Sequence, residues 1–368
     1  MASKLSHLLS PLQMGDLHLK NRVIMASLTR NRDSIPRENL HLEYYAERAD
    51  LGLIISEAAL ICPQGVEWTF MPGIYGPSHV EGWKRVTDAV HQRGGLIFCQ
   101  LHHVGRVAHP GTRVQRTLGQ PIPGPSAIAA RGGKFRNVPG GPGYVVPTAI
   151  EDPQEIIQLY ETAARLAKEA GFDGIELHNA NGYLPMQFLE SHSNQREDEW
   201  GGSLENRMKF SLACLAQMNK HFSYGRIGIK IAPCGGYNDM GELDAAGHPS
   251  AEAAKAMYGP FCAKLDTLGL AYVQVMRWWE AYDVFIDGNP RGVAWDPIAY
   301  LRPILKSTLL FGNTGFRPEE ADEWIHDNRM DAVVIGRPLL YNPDYVAKLR
   351  EGRSNELYEE QPGDEYWW

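Results

Sequence analysis

Short runs of apolar residues alternate with longer amphipathic segments along almost the whole chain. The run from Gly174 to His178 is an example, because it follows an amphipathic segment at 152–170 and leads into polar residues. The short runs suit buried strands, whereas the segments between them repeat apolar residues at helical spacing. A helix, a short buried strand and a polar loop, repeated in this order, are typical of an α/β barrel.

The pattern predicts eight strands, which is the number that closes a (β/α)8 barrel. They are RVIMAS from Arg22, LIISE from Leu53, LIFCQL from Leu96, GIELH from Gly174, RIGIKIAP from Arg226, YVQVM from Tyr272, TLLFGN from Thr308 and AVVIG from Ala332. Helices are predicted near residues 38–49, 80–93, 152–170, 204–220, 250–267, 296–305, 317–328 and 343–350. We therefore predict an α/β fold, a TIM barrel that forms a single domain over residues 1–368, with a C-terminal tail at 351–368.

Two segments interrupt the repeat, and both follow strand ends. Residues 110–147 are rich in Gly and Pro, and we expect a loop or hairpin excursion over the barrel mouth. Residues 276–295 carry the aromatic side chains of Trp278, Trp279, Tyr282 and Phe285. Because barrels bind substrates at this side, the aromatic residues could wall an apolar pocket. Packing against neighbouring loops alone is the alternative.

Composition narrows the class of protein. The 368 residues are 43% hydrophobic and 22% charged, as in ordinary globular proteins, and the net charge of −8 argues against nucleic acid or an anionic membrane as the main partner. The chain has no run of 18 apolar residues and no apolar N-terminal core, so we expect a cytoplasmic protein without a membrane span. Five cysteines without CxxC spacing predict free or buried thiols and no bound metal.

Polar residues cluster directly after the predicted fourth strand. His178, Asn181 and Tyr183 lie within six positions of one another. In an α/β barrel the residues at the C-terminal ends of strands carry the chemistry, so this group predicts a site. A single histidine at a strand end is more often a core residue whose hydrogen bonds are satisfied. Considered without its neighbours, His178 is compatible with that alternative.

Glycines near the end of the chain suggest a phosphate site. Gly315 follows the predicted seventh strand, and Gly336 and Arg337 follow the eighth. Barrels often bind phosphate at these two loops, where glycine exposes backbone N–H groups and arginine makes a bidentate contact. The usual dinucleotide and P-loop signatures are absent from the sequence. The alternative is that these residues form only a turn that carries an exposed arginine.

The chain resembles the old yellow enzyme family in a set of long segments that occur in that family's order. The segments are NRVIMASLTRNR, YYAERADLGLIISEAALICPQG, PGIYGPSHVEGWKRVTDAVHQRGGLIFCQLHHVGR, GFDGIELHNANGYLPMQFLESHSNQREDEWGGSLENR, YNDMGEL and DAVVIGRPLLYNPD. The resemblance runs from about Leu8 to Arg350. It implies a barrel with tightly bound FMN that takes hydride from NADPH, or NADH, and reduces the C=C bond of enones, enals, quinones or similar electron-poor alkenes.

The resemblance assigns the flavin contacts to residues at strand ends. Thr29 would hydrogen-bond the flavin C4 carbonyl, and Gln100 would meet the pyrimidine edge, where an amide both donates and accepts. Lys230 stands where the family usually has an arginine that faces flavin N1 and the C2 carbonyl, and lysine keeps the charge without the planar fork. A lysine turned into solvent is the alternative. The remaining cofactor residues are Ser27, Ala58, Gly315, Gly336 and Arg337.

The resemblance also assigns the substrate contacts. Adding hydride to the β-carbon of an enone builds negative charge on the carbonyl oxygen, and His178 and Asn181 are the donors assigned to that oxygen. Tyr183 is protonated at neutral pH and would give a proton to the α-carbon.

Two further positions depart from the family pattern, and a third lies in the C-terminal tail, beyond the segments that resemble the family. Ser27 replaces a common proline, and His102 replaces a common tryptophan beside the substrate pocket, which predicts a more polar pocket. Whether Tyr358 in the tail reaches the substrate stays open.

Two other functions are compatible with parts of the sequence. The glycines after strands seven and eight alone would allow a phosphosugar aldolase or isomerase without flavin. A flavin protein that acts as a biosynthetic isomerase or reductase on a specific aldehyde or quinone is the second alternative. No separate nicotinamide domain is visible, so reductant and alkene are expected to share one flavin face in a ping-pong cycle. The sequence does not decide between a monomer and a homodimer.

Overall fold

The computed structural model describes residues 5–132, 138 and 143–357. Eight parallel strands form a closed barrel in which each strand pairs with the next and the eighth pairs with the first. They are β1 (Val23–Met25), β2 (Leu53–Ile55), β3 (Ile97–His102), β4 (Gly174–Asn179), β5 (Ile227–Ile231), β6 (Tyr272–Met276), β7 (Leu309–Asn313) and β8 (Ala332–Ile335). All eight predicted strands are present, and the TIM-barrel prediction is confirmed.

Helices lie between the strands. They are α1 (Glu43–Ala46), α2 (Pro77–Gln92), α3 (Arg113–Leu118), α4 (Pro153–Glu169), α5 (Leu184–Leu189), α6 (Leu204–Met218), α7 (Ala251–Asp266), α8 (Pro297–Leu301), α9 (Pro318–His326), α10 (Pro338–Tyr341) and α11 (Tyr345–Arg350). The predicted helix at 38–49 is shorter than expected, because it consists of a π-helical turn at Glu38–Leu42 and only four α-helical residues. The Arg37 amide there donates to the His41 ring over 3.1 Å.

Helix α4 shows how the sequence builds the outer layer. Asp152 caps the helix by accepting a hydrogen bond from the Gln154 amide, and Pro153 occupies the first turn, where its missing N–H costs nothing. Ile157 and Tyr160 then recur at helical spacing and are buried against the barrel. Burial of one such side chain contributes about 1.5–3 kcal/mol.

An antiparallel hairpin closes the N-terminal end of the barrel. Its strands, Leu12–Met14 and Leu17–Leu19, were not among the predicted elements. The apolar side chains of this hairpin belong to one buried cluster with Phe98, Tyr272 and Phe311 inside the barrel. Residues 15–16, a Gly-Asp pair between alternating apolar residues, are a hairpin signal that periodicity over longer windows overlooks.

Of the two forms predicted for the excursion over the barrel mouth, the described part is a loop with a short helix and not a hairpin. It contains α3, and the two-residue strands Pro123–Gly124 and Thr148–Ala149 pair in parallel, so they cannot form a hairpin. Residues 133–137 and 139–142 of this segment lie outside the described part of the chain. The second interruption, after β6, does contain a hairpin, which pairs Phe285–Ile286 with Asn289–Pro290.

Three loops of the barrel mouth, those after β3, β5 and β6, meet at one buried carboxylate, Asp239. Arg291, from the loop after β6, donates Nε to Asp239 over 2.9 Å, and Arg131 of the excursion donates its amide and two side-chain nitrogens over 2.8–3.2 Å. The Nη2 atom of Arg106, a residue that follows β3, lies 4.0 Å from Asp239 Oδ2. Asp239, Arg106 and Arg291 are all at least 97% buried. Charge pairing therefore fixes the position of these loops over the barrel.

The remaining sequence predictions concern thiols, metals and membranes. All five cysteines are free, and four of them are buried. Within residues 5–132, 138 and 143–357, no group of three or more His, Cys, Asp or Glu side chains is arranged to hold a metal ion. In the same ranges no helix combines the length and the apolar character that crossing a bilayer requires.

Candidate active site

Polar side chains line the C-terminal end of the barrel interior. Glu176 and His178 are two residues apart on β4 and therefore point to the same side. Gln100 on β3 is in register with Glu176, and Lys230 on β5 is in register with His178. All four are buried. They form a polar layer above an otherwise apolar barrel core.

A chain of hydrogen bonds fixes the orientation of the Gln100 amide. Ser27 Oγ donates to Gln100 Oε1 over 2.7 Å, and Gln100 Nε2 donates to Glu176 Oε1 over 2.6 Å. The Gln100 backbone amide donates to Ser56 Oγ over 3.3 Å. With serine in place of the common proline at position 27, a hydroxyl group just after β1 reaches the Gln100 side chain on β3.

Lys230 and Glu176 place opposite charges in this layer. Burial lowers the pKa of Lys230, and the negative charge of Glu176 opposes that shift. Burial raises the pKa of Glu176, and Lys230 and the bond from Gln100 oppose that shift. Lys230 is only 6% exposed, so the alternative of a lysine turned into solvent is wrong.

Three aromatic rings meet at the mouth. The ring centroids of His102 and His178 are 5.1 Å apart. The ring centroid of Tyr183 lies 4.3 Å from that of His102 and 4.8 Å from that of His178. Burial lowers the pKa of His178 well below its ordinary value, and it lowers the pKa of His102 to about 3. Both imidazoles are neutral at physiological pH, so each ring offers one donor and one acceptor. Nδ1 of each ring has no hydrogen-bond partner within the described ranges.

Tyr183 keeps its phenolic proton at neutral pH. Burial, followed by the charge of Glu67, raises the pKa of Tyr183 well above its ordinary value. Its hydroxyl group donates to Glu67 Oε2 over 3.2 Å. A buried, protonated hydroxyl next to two neutral imidazoles is suited to proton donation.

Asn181 lies in a tight turn between β4 and α5. Its φ is 58°, and that of Gly182 is 73°, both in the left-handed region that asparagine and glycine tolerate best. The Asn181 carbonyl accepts a hydrogen bond from Asn238 Nδ2 over 2.9 Å, and Tyr144 donates to Asn238 Oδ1 over 2.6 Å. The turn that places His178 and Tyr183 is therefore held by the loop after β5 and by the excursion.

The loop after β7 has an unusual backbone conformation. Thr314 and Gly315 both have positive φ, at 83° and 69°, which is unusual for a β-branched residue. Arg277 donates to the carbonyl groups of Thr314 and Gly315 over 2.6 and 2.7 Å. Gly315 has no side chain to cover its backbone N–H group, and the loop lies at the C-terminal end of the barrel, where barrels of this class often bind phosphate.

Gly336 and Arg337 follow β8, the strand that neighbours β7. The Arg337 guanidinium lies 4.8 Å from the centroid of the Trp279 ring. Trp279 is 37% exposed and Phe285 is 54% exposed. These two aromatic side chains therefore lie at the rim, and Trp279 contacts a cationic residue of the predicted phosphate site.

The structure brings most of the predicted site residues to one end of the barrel. Ser27 contacts Gln100, the three rings contact one another, and Thr29 and Ala58 follow β1 and β2 on the same side. Tyr358 lies outside the described residues, so its role stays a prediction.

Sequence reasoning missed three residues of the site. Glu176 was detectable as a charged residue inside an apolar strand. Glu67 and Arg277 have no local signal, because their partners come from distant parts of the chain.

The donor set fits a flavin mononucleotide. The fixed amide of Gln100 and the buried ammonium of Lys230 match a ring edge that carries both donors and acceptors. The loop at Thr314 and Gly315, with Arg337 just after the neighbouring strand β8, matches a phosphate tail. Both sets lie at the same end of the barrel.

Comparisons with known proteins agree with this assignment. Residues 7–356 match the model of the NADH:flavin oxidoreductase / NADH oxidase family. A probable flavin mononucleotide-dependent alkene reductase of Leishmania infantum is 38% identical over 356 residues, covering 94% of this chain and 90% of that protein. Morphinone reductase is 37% identical with a TM-score of 0.83, covering 96% of this chain and 91% of that chain. The old yellow enzyme of Trypanosoma cruzi is 29% identical with a TM-score of 0.85, covering 100% of this chain and 96% of that chain.

Fold, donor set and comparisons define an FMN-dependent oxidoreductase of the enone-reductase class. The chain belongs to the NADH:flavin oxidoreductase / NADH oxidase family, which confirms the resemblance to the old yellow enzymes. FMN is the cofactor and a reduced nicotinamide nucleotide is the hydride donor. The findings support neither the phosphosugar aldolase nor the biosynthetic isomerase.

Proposed function

We propose that the protein reduces α,β-unsaturated carbonyl compounds with NADPH, using His178 and Asn181 to bind the substrate oxygen and Tyr183 to protonate the α-carbon. The observation that carries this proposal is the contact of two neutral imidazoles with a protonated, buried tyrosine at the barrel mouth. Bound FMN would supply hydride transfer from the nicotinamide to the β-carbon of the alkene.

The residues of the polar layer would hold the flavin ring. Gln100, oriented by Ser27 and Glu176, would present its amide to the pyrimidine edge. Thr29 would donate to the C4 carbonyl, and Lys230 would place a positive charge beside N1 and the C2 carbonyl. Ala58 is the small residue expected to line the ring.

The phosphate would lie between the loops after β7 and β8. Gly315 and Gly336 would contribute backbone N–H groups, and Arg337 a bidentate contact. Arg277 would support the site from behind, because it holds the carbonyl groups of the β7 loop.

His178 and Asn181 would stabilise the charge that develops on the substrate oxygen. A neutral imidazole donates one hydrogen bond without adding a positive charge, and the buried setting strengthens that bond. His102 adds a polar ring to the same wall, which favours polar enones and enals. Quinones are proposed as further substrates.

Several finer assignments rest on the sequence and the resemblance. Use of NADPH rather than NADH, a shared flavin face with ping-pong kinetics, a cytoplasmic location and a monomeric or homodimeric state are all proposals. Competition between NADPH and the alkene in steady-state kinetics would test the shared face directly.

The decisive experiment follows the flavin absorbance of the purified protein without oxygen. NADPH is expected to bleach the band near roughly 450 nm, and 2-cyclohexenone is expected to restore it, because one site carries both hydride transfers. A protein without a flavin band after incubation with FMN would contradict the cofactor assignment. A band that bleaches but does not return with any enone would contradict alkene reduction.

Replacement of Lys230 by methionine is expected to lower the two-electron reduction potential of the bound flavin. The buried ammonium stabilises the extra negative charge of the reduced ring, and its loss is expected to cost roughly 30–60 mV, where about 30 mV corresponds to 1.4 kcal/mol. Equilibration with redox dyes at fixed pH measures the shift. Lys230→Arg, which keeps the charge, is the matched control and should stay close to the original potential; equal shifts in both variants would contradict the electrostatic role.

A further inference from the structure

Glu67 is a buried carboxylic acid that contacts the proposed proton donor. It lies in the loop after β2, is 4% exposed, and is flanked in sequence by Val66 and Trp68, which pack into an apolar cluster. Its Oε2 atom accepts the hydrogen bond from Tyr183 over 3.2 Å.

The loop that carries Glu67 is fixed against the end of β3. The Val104 amide donates to the Gly65 carbonyl over 3.1 Å. A side chain at Gly65 would come within 2.8 Å of the His103 ring, so only glycine allows this close approach. The distance between Glu67 and Tyr183 is therefore set by packing and not by a mobile loop.

Proton donation leaves Tyr183 with an unfavourable charge. Burial and the charge of Glu67 both raise the pKa of Tyr183, and Tyr144 and Tyr237 raise it further. The two imidazoles whose rings contact Tyr183, those of His102 and His178, are neutral, because burial lowers the pKa of His102 to about 3 and that of His178 well below its ordinary value. A bare tyrosinate beside an ionised carboxylate is strongly disfavoured there.

We propose that Glu67 is the proton-supplying residue behind Tyr183, a role that rests on the proposed function of Tyr183. In the reactive form Glu67 is protonated and donates to Tyr183 Oη, which turns the tyrosine proton toward the substrate. As the Tyr183 O–H bond breaks and its proton bonds to the α-carbon, the Glu67 O–H bond breaks and its proton bonds to Tyr183 Oη. The carboxylate then takes a proton from water after product release.

The test is Glu67→Gln, which keeps the size and the hydrogen-bonding capacity but carries no transferable proton. Alkene-dependent reoxidation of the reduced flavin is expected to slow about 10- to 100-fold, less than the loss of a complete general acid. Reoxidation by ferricyanide, which requires no protonation of carbon, and bleaching by NADPH should keep their rates. Glu67→Asp, which retains the acid, should be slowed less than Glu67→Gln.

Two readouts separate proton supply from a structural role. The rate of alkene-dependent reoxidation is measured in mixtures of light and heavy water. It should depend non-linearly on deuterium content in the original protein, where two protons move, and linearly in Glu67→Gln. Carbon-13 NMR of labelled tyrosine, with Tyr183 assigned through Tyr183→Phe, should show a lower Tyr183 pKa in Glu67→Gln, because Tyr183 titrates at alkaline pH, where Glu67 carries the negative charge that raises the Tyr183 pKa. The NMR measurement is independent of turnover.

The outcomes distinguish this inference from the proposed function. An unchanged alkene rate in Glu67→Gln, together with a slow Tyr183→Phe variant, would overturn the role of Glu67 alone. Equal slowing with the alkene and ferricyanide would show that Glu67 only maintains the structure. If Tyr183→Phe keeps its full rate, the proton donor itself is wrong and the role of Glu67 falls with it. In the Tyr183→Phe background, Glu67→Gln should not slow alkene-dependent reoxidation further, because Glu67 acts through Tyr183.

Discussion

Tyr183→Phe is expected to slow reoxidation of the reduced flavin by 2-cyclohexenone by about 10²–10⁴-fold, the usual contribution of a general acid. The substitution removes only the hydroxyl group, so the aromatic contacts with His102 and His178 remain. Bleaching by NADPH should be unaffected, because hydride transfer to the flavin needs no proton from this residue. Anaerobic stopped-flow absorbance measures the two half-reactions separately.

Tyr160→Phe is the matched control for this result. Tyr160 is fully buried on α4, and its hydroxyl group has no hydrogen-bond partner within the described ranges. Loss of that hydroxyl group should leave both half-reactions unchanged. A Tyr183→Phe variant that reduces the enone as fast as the Tyr160→Phe variant would mean that the α-carbon receives its proton from another group.

Asp239→Ala is expected to lower the free energy of unfolding by about 3–5 kcal/mol, which is the typical cost of removing one partner from a buried ion pair. The substitution leaves the guanidinium groups of Arg106 and Arg291 buried without their carboxylate. Because three loops of the barrel mouth meet at this residue, the loss should also weaken FMN binding. Differential scanning calorimetry and urea unfolding, each with and without added FMN, measure both effects.

Two comparisons make the Asp239 result specific. Asp88→Ala removes the partner of Lys84 in a pair whose side chains are both about half exposed, and it should cost less than about 1 kcal/mol. Hydrogen bonds from Arg131 lower the pKa of Asp239 despite the opposing effect of burial. Its contribution is therefore present at neutral pH and is lost as pH falls below about 4, the ordinary value for this side chain. Equal losses for Asp239→Ala and Asp88→Ala would contradict the buried network.

The apolar pattern was sufficient to predict the barrel. The runs at β2, β4, β6 and β8 begin at the predicted residues, and the other four strands begin one residue later than predicted. Burial of both faces requires nearly continuous apolar residues in a parallel strand, so the pattern is local and readable. The ends of helices were less predictable at 38–49, where a π-helical turn occupies the first five helical residues.

The candidate site was predictable in part, for the same reason. His178, Asn181 and Tyr183 follow one strand within six residues, and Gly336 and Arg337 directly follow another. Parallel strands bring their C-terminal ends to one edge, so residues in these positions must lie on the same side of the barrel. The sequence order alone thus located the chemistry at the mouth and, through the resemblance, indicated the flavin.

The sequence by itself determined the barrel, the position of the site and the class of chemistry. Only the tertiary structure decided that Ser27 orients Gln100, that Lys230 is buried near Glu176, that Asp239 joins three loops and that Glu67 contacts Tyr183 from 116 positions away. Periodicity reports which face of an element is buried, and that information extends over a few turns or strands. A contact between two loops depends on how the closed barrel brings distant segments together, and no local pattern encodes it.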